Sequence, residues 1–381
     1  MNKFNKQTQT NNIWKLFQLI QDHGAISRAQ IKEESGLSWG TVSSVINKLE
    51  KKGFIEENPI ESNKVGRKKG LITIANNSNF VLGIDINVSG LTFIVTDLKW
   101  EVHQIVQGSI LDFDKDSIIE QILQTSEELI KKFSNFLFVA ISLQGRISRK
   151  KDVSREISGF SNWKDIPIKS LFEKKFGIPT FLYHDPDCLL AFHKINNDIQ
   201  IKNKGHYALI KIDNSIGISL LLDDVVFEDS NGRCPEIAHS IVEYDGEPCY
   251  CGKKGCLESY ISINGLTNLY NKKYNKSLSI KDYCQLLNKR DEKASELLLN
   301  NSKYLAATIS NLFQLFSPQQ LIIGGKLAKY ADIYMPFIKE YLKNNGENPS
   351  KLVVGEYKLE ACALGACVLT INNNFKSLIK E

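Results

Sequence analysis

Three thiols fall within eight residues, Cys249, Cys251 and Cys256 of the stretch PCYCGKKGCLESY, and this clustering constrains the chain more than any other feature. A segment so short has to be arranged around its sulfurs. Cys249 and Cys251 lie too close along an extended chain to form a disulfide easily. The amino terminus, MNKFNKQTQTNNIWKLF, lacks the apolar core and small-residue cleavage site of a secretory signal. A cytoplasmic location with reduced thiols is therefore expected. Cys-x-Cys in place of Cys-x-x-Cys weakens a redox pair as well. With His239 delivered from the preceding segment, the set becomes Cys3His, a tetrahedral zinc shell. Gly252 and Gly255 allow the tight backbone this needs. Four protein ligands leave no open position, so the zinc is expected to be structural. Cys188, Cys234, Cys284, Cys362 and Cys367 are scattered and read as small core residues.

No apolar run approaches the roughly 18 residues that cross a bilayer, and no membrane partner is expected. At 381 residues the chain suits two or three domains. The formal net charge is +5, and all of it sits in residues 1–70, since the remainder carries equal numbers of basic and acidic side chains. A basic module joined to a neutral body fits a nucleic-acid binder, with a solvated basic tail as the bland alternative.

Patterning favours the first. Ile13, Leu16, Phe17 and Ile20 make one face of a helix ending near Gly24. Ser27 and Gln30 form a capping box for a short helix ended by Gly36. In LSWGTVSSVINKLEKKGFI, the residues Val42, Val45, Ile46 and Leu49 make an apolar face, opposite Gly40, Thr41, Ser43, Ser44, Asn47 and Lys48. This is a helix-turn-helix layout whose third helix enters the major groove. Ser38, Thr41 and Ser44 are candidates to touch bases, with Ser43, Asn47 and Lys48 beside them. Two short strands follow around a turn tipped by Arg67, Lys68 and Lys69, a wing suited to phosphates or the minor groove.

From residue 80 apolar strands alternate with helices. Strand–turn–strand units at 80–98 and 207–224 open the two halves, implying a duplication into two α/β lobes with a cleft between. Further strands are expected at 136–145, 178–187 and 319–328, and helices at 117–133 and 302–316. The segment PEIAHSIVEYDGEPCYCGKKGCLES resembles the signature of the ROK family (repressors, open reading frames and sugar kinases), a Gly-His followed by Cys-x-Cys-Gly-x-x-Gly-Cys-x-Glu. The resemblance covers about residues 12–375. It implies a two-lobed actin-like, ribonuclease H-like sugar-kinase fold preceded by a winged helix-turn-helix. Residues 1–75 would form the DNA-binding domain and 76–195 the first lobe, completed by a carboxyl-terminal helix over 363–381. Residues 196–362 would form the second lobe with the knuckle.

By the same resemblance, Glu258 and Glu236 bind sugar hydroxyls, with His239 near them. Carboxylates suit this task because each accepts two hydroxyl donors. HDPD matches the family's Asn-Asp pair, with Asp185 at the catalytic base and His184 in place of Asn. SLQG matches its Pro-Gly loop, with Gln144 in place of Pro before Gly145. GFSNW lacks an asparagine often found four residues before the Trp.

Phosphate loops need glycine amides that approach a triphosphate closely. In DINVSG, Asn87 and Val88 replace the family's glycines, and SIGIS keeps only Gly217 of Gly-x-Gly-x-Gly. Gly324-Gly325, on the adenosine side, is intact. No catalytic residue is expected in use. The reading is a sugar-responsive regulator, a repressor, binding a double-stranded operator as a homodimer or homotetramer. A sugar kinase using Asp185 is the alternative, and a regulator controlled by a protein partner the third.

Overall fold

A computed structural model describes residues 3–59, 70–76, 78–148, 150–157, 159–196, 205–223, 225–229 and 234–379, with side chains from residue 11 onward. The amino-terminal domain runs α1 (Lys3–His23), β1 (Ala25–Ser27), α2 (Arg28–Ser35), α3 (Trp39–Lys51), β2 (Ile55–Pro59) and β3 (Gly70–Ile74). Its boundaries follow from local chemistry. Ser27 and Gln30 close the capping box, and Gly36 adopts a left-handed φ of 68° after α2. Ser38 caps α3 by accepting from Thr41 N. Val42, Val45, Ile46 and Leu49 are buried, as their spacing requires. The strands pair in the order β1-β3-β2. The expected wing tip, including Arg67, Lys68 and Lys69, lies outside the described residues.

The first lobe holds β4 (Phe80–Asn87), β5 (Gly90–Asp97), β6 (Val102–Gly108), α4 (Lys115–Lys132) and β7 (Phe136–Leu143). A small sheet follows, β8 (Arg146–Ser148), β9 (Val153–Glu156) and β10 (Lys164–Ile166), then α5 (Ile168–Phe176), β11 (Thr180–His184) and α6 (Asp185–Ile195). The second lobe holds β12 (Tyr207–Ile212), β13 (Ile216–Leu222) and β14 (Val225–Val226), the knuckle, then α7 (Glu258–Ile261), α8 (Ile263–Tyr274), α9 (Ile280–Asn288) and α10 (Glu292–Phe316). It ends with β15 (Gln320–Gly324), α11 (Ala331–Asn344) and β16 (Leu352–Val354), before α12 (Ala361–Asn374).

The large sheets are ordered β6-β5-β4-β7-β11 and β14-β13-β12-β15-β16. In each, three antiparallel strands adjoin two that run parallel to the first. The expected duplication is therefore present in the topology. The helix expected at 302–316 begins ten residues earlier, where Asp291 caps it by accepting from Ala294 N. The helix expected over 363–381 starts at Ala361 and stops at Asn374, after a run of poor helix-forming asparagines. A 3-10 turn over Phe375–Ile379 continues it.

Helix α12 packs against α6, β4 and β7 of the first lobe. Gly365 permits this: a Cβ there would stand 1.7 Å from the Cys188 carbonyl oxygen in α6. Phe375 then enters the winged helix, its ring centroid 4.0 Å from Phe17 and 5.1 Å from Phe54. One apolar core thus runs from α1 and α3 through Phe375 and α12 into the first lobe. Among the described residues no helix is long and apolar enough to cross a membrane.

Candidate functional site

The knuckle folds as a sequence of tight turns. Cys249 N donates to Lys253 O, and Gly255 N to Glu247 O, both at 2.8 Å. Gly255 sits at φ 74°, and a Cβ there would lie 1.7 Å from Glu243 O. The backbone gathers the ligand atoms of His239, Cys249, Cys251 and Cys256 within 4.8 Å of one another. Cys249 Sγ is 3.7 Å from His239 Nδ1, and Cys251 Sγ is 3.6 Å from Cys256 Sγ. Ligands of tetrahedral zinc stand about 3.5 Å apart, so donor set and spacing both fit that ion.

Between the lobes, a cavity of about 260 Å³ is lined by Gln144, Gly145, His184, Asp185, Glu236 and His239. The fold thus collects six of the expected sugar residues from the loop after β7, from β11 and α6, and from the segment before the knuckle. Glu236 Oε1 accepts from Arg146 Nε at 3.3 Å, across the opening. Glu258 does not line this cavity. It is buried behind it, where its Oε2 accepts from Ile216 N at 2.8 Å and Oε1 has no hydrogen-bond partner. Burial pushes its carboxyl up to about 7.

Deeper in the cleft, polar side chains meet around the two segments that resemble the family's phosphate loops. Lys211 Nζ donates to Asp185 Oδ2 at 2.7 Å and also to Asp213. Burial draws the Lys211 proton affinity down, but these two carboxylates outweigh it and hold the ammonium charged well above the usual lysine range. Gln144 spans the lobes, its Oε1 accepting from Val88 N at 3.0 Å and its Nε2 donating to Ser215 Oγ at 2.8 Å. Lys326 Nζ donates to Ser89 Oγ, and Asn214 Nδ2 donates to the same oxygen at 3.2 Å. Asp85 accepts from Ser142 Oγ and Asn87 Nδ2, both at 2.6 Å. The sequence reading placed Gln144 among sugar ligands and did not single out Lys211. Its signal was a lysine inside the apolar strand YALIKI.

On α3, Ser38, Ser44 and Asn47 are exposed, while Thr41, Ser43 and Lys48 are half-buried. Ser38 is occupied as the helix cap, and Lys48 Nζ donates to Ile379 O at 3.0 Å, tying it to the carboxyl terminus. Trp39, which the sequence reading passed over, is 50% exposed at the start of this helix. A large aromatic directly after the cap residue Ser38 was the available signal.

Residues 81–373 match the ROK family, and residues 10–64 the MarR family. The chain is 24% identical over 373 residues to a xylose repressor of Bacillus spizizenii, covering 96% of both chains. A crystal structure of a ROK family transcriptional regulator, a homologue of the Escherichia coli MLC protein, superposes with a TM-score of 0.81, 22% identity and 98% coverage of each chain. A ROK family glucokinase from Streptomyces griseus, solved with glucose and AMPPNP, superposes with a TM-score of 0.66 at 18% identity, covering 76% of this chain and 98% of that one.

Proposed function

The chain belongs to the ROK family, and from that membership we propose a sugar-responsive, DNA-binding transcriptional regulator, a repressor. Its kinase-like body binds a sugar or sugar derivative without phosphorylating it. The repressor name of a relative alignable over nearly the full length supports this reading. So does the MarR-like winged helix, whose third helix presents Ser44, Asn47 and Trp39. A homodimer or homotetramer would set two such helices on a two-fold operator.

The observation that carries the non-kinase part is Lys211. A catalytic base must be able to take the hydroxyl proton, yet Asp185 is paired to a buried ammonium. The Lys211–Asp213, Gln144–Ser215 and Lys326–Ser89 contacts engage polar groups that a triphosphate and its metal would have to displace, although a cavity of about 250 Å³ remains beside them. The Cys3His set would hold a structural zinc, fixing the segment that carries Glu258. Arg146 and Glu236 face each other across the cavity mouth, where a bound ligand would change lobe closure and, through it, the spacing of the recognition helices.

A thermal-shift screen against monosaccharides and sugar phosphates, with and without Mg-ATP, tests this. Stabilisation by a sugar alone is expected. ATP-dependent phosphorylation of a monosaccharide at ordinary turnover would favour a kinase, and indifference to every sugar would favour control by a protein partner.

A further inference from the structure

Away from the knuckle, a second group of metal-ligating side chains converges. His184 ends β11, Asp187 lies in the first turn of α6, and Cys234 comes from the segment just before Glu236. One ligand atom from each lies within 4.8 Å of the others, the bound that also encloses the knuckle set. Zinc with ordinary bond lengths holds its ligands about 3.5 Å apart, so closing the group takes side-chain rotations of about an ångström.

Two details single this group out from chance proximity. Asp187 is 2% exposed and oriented by Ser219, whose Oγ donates to Oδ1 at 2.6 Å. Its Oδ2 is the oxygen turned toward Cys234, whose Sγ stands 3.9 Å away. Such an outer hydrogen bond is what orients a ligating carboxylate. His184 Nδ1 is buried with no hydrogen-bond partner, while its Nε2 stands 3.8 Å from Asp185. A buried unsatisfied nitrogen is costly, and coordination to a cation would remove that penalty.

We propose that His184, Asp187 and Cys234 form a second, open site for a divalent transition metal of the zinc class, set in the wall of the interlobe cleft. Imidazole, thiolate and carboxylate together select such an ion over magnesium or calcium, which take oxygen ligands. Cys234 would bind as the thiolate, releasing its proton to solvent. Three protein ligands leave a fourth position open. His184 and Cys234 line a cavity of about 780 Å³, so that position faces a space large enough for a ligand. A hydroxyl or carboxylate oxygen of the cleft's ligand fits there. Only this last step rests on the sugar-sensing reading; metal binding does not.

The test titrates metal-stripped, full-length protein with Zn²⁺ and Co²⁺ in equilibrium dialysis, comparing wild type with Cys234→Ala and His184→Asn. Two ions per chain are expected in wild type and one in each variant. The second Co²⁺ should add a sulfur-to-metal charge-transfer band weaker than the first, since one thiolate replaces three, and Cys234→Ala should abolish it. One ion per chain in wild type, or two in both variants, overturns the site. If Cys234→Ala does not fold by circular dichroism, His184→Asn decides. Sugar titrations on the same samples separate the two readings. A sugar response without a second ion sinks the site alone, whereas a second ion without any sugar response supports the site and sinks the sensor.

Discussion

Removing the Lys211 ammonium would leave Asp185 and Asp213 inside the protein without the cation they share. Deleting one partner of a buried pair costs about 3–5 kcal/mol, so Lys211→Met is expected to lower stability by that amount at neutral pH in urea denaturation. The loss belongs to unpaired charge and should shrink as acid protonates the carboxylates; a pH-independent loss below about 1 kcal/mol would contradict the pairing. Asp85 has its own dependence. Burial pushes its carboxyl from 3.8 to about 6, against the pull of Lys211 and of the Ser142 hydrogen bond. The folded state therefore holds this proton more tightly than the unfolded chain does. Its contribution is full below pH 3.8 and is lost as pH rises through about 6, a change on the order of 3 kcal/mol. Asp85→Asn should flatten that fall in a melting-temperature series from pH 4 to 7, and an unchanged slope would refute the assignment. The residue types at these positions were legible in the sequence, including Gln144 and Val88 where the family has Pro and Gly. Their partners were not, because Lys211 meets a carboxylate 26 positions away across the lobe boundary.

Elements were readable where one local rule decided them. The capping box of α2, the apolar stripe of α3 and the continuous apolar runs of β7 and β12 were each decided by one local signal. The small sheet β8-β9-β10 was not read, since strands of three or four residues carry almost no periodic signal. The end of α12 was misplaced because the asparagine run and the burial of Phe375 together turn the chain from α-helix into a 3-10 turn. The knuckle was legible from spacing, and its glycines have a checkable role. Gly255→Ala would force a side chain into a left-handed backbone and against Glu243 O. Loss of the zinc proposed for the knuckle is expected in metal analysis, together with a lower melting temperature that chelation of the wild-type protein reproduces. A variant that keeps its metal and its melting temperature would show that the knuckle tolerates another backbone path.

At the scale of the whole molecule, the question is how an event in the cleft reaches α3. Asp185 and His184 stand where β11 meets α6, and α6 packs on α12 with no room for a side chain at Gly365. Helix α12 leads directly to Phe375, wedged among Trp14, Phe17 and Phe54. Beyond it, Ile379 O holds Lys48 of α3, and Gln21 Nε2 reaches Leu98 O of the first lobe at 2.6 Å. The winged helix is thus joined to the body by packing and hydrogen bonds, so a shift of α6 and α12 on lobe closure would move it as a unit. Phe375→Ala removes the central ring of this joint, at a local cost of about 3–5 kcal/mol. Sugar should still raise the melting temperature of the body, because no cleft residue has changed. Its effect on the affinity of an operator, selected from random duplexes and measured by fluorescence anisotropy, should be lost or strongly reduced. Sugar-dependent operator release equal to wild type in this variant would mean that the signal leaves the body by another route, and that the aromatic joint serves only to hold the two parts together.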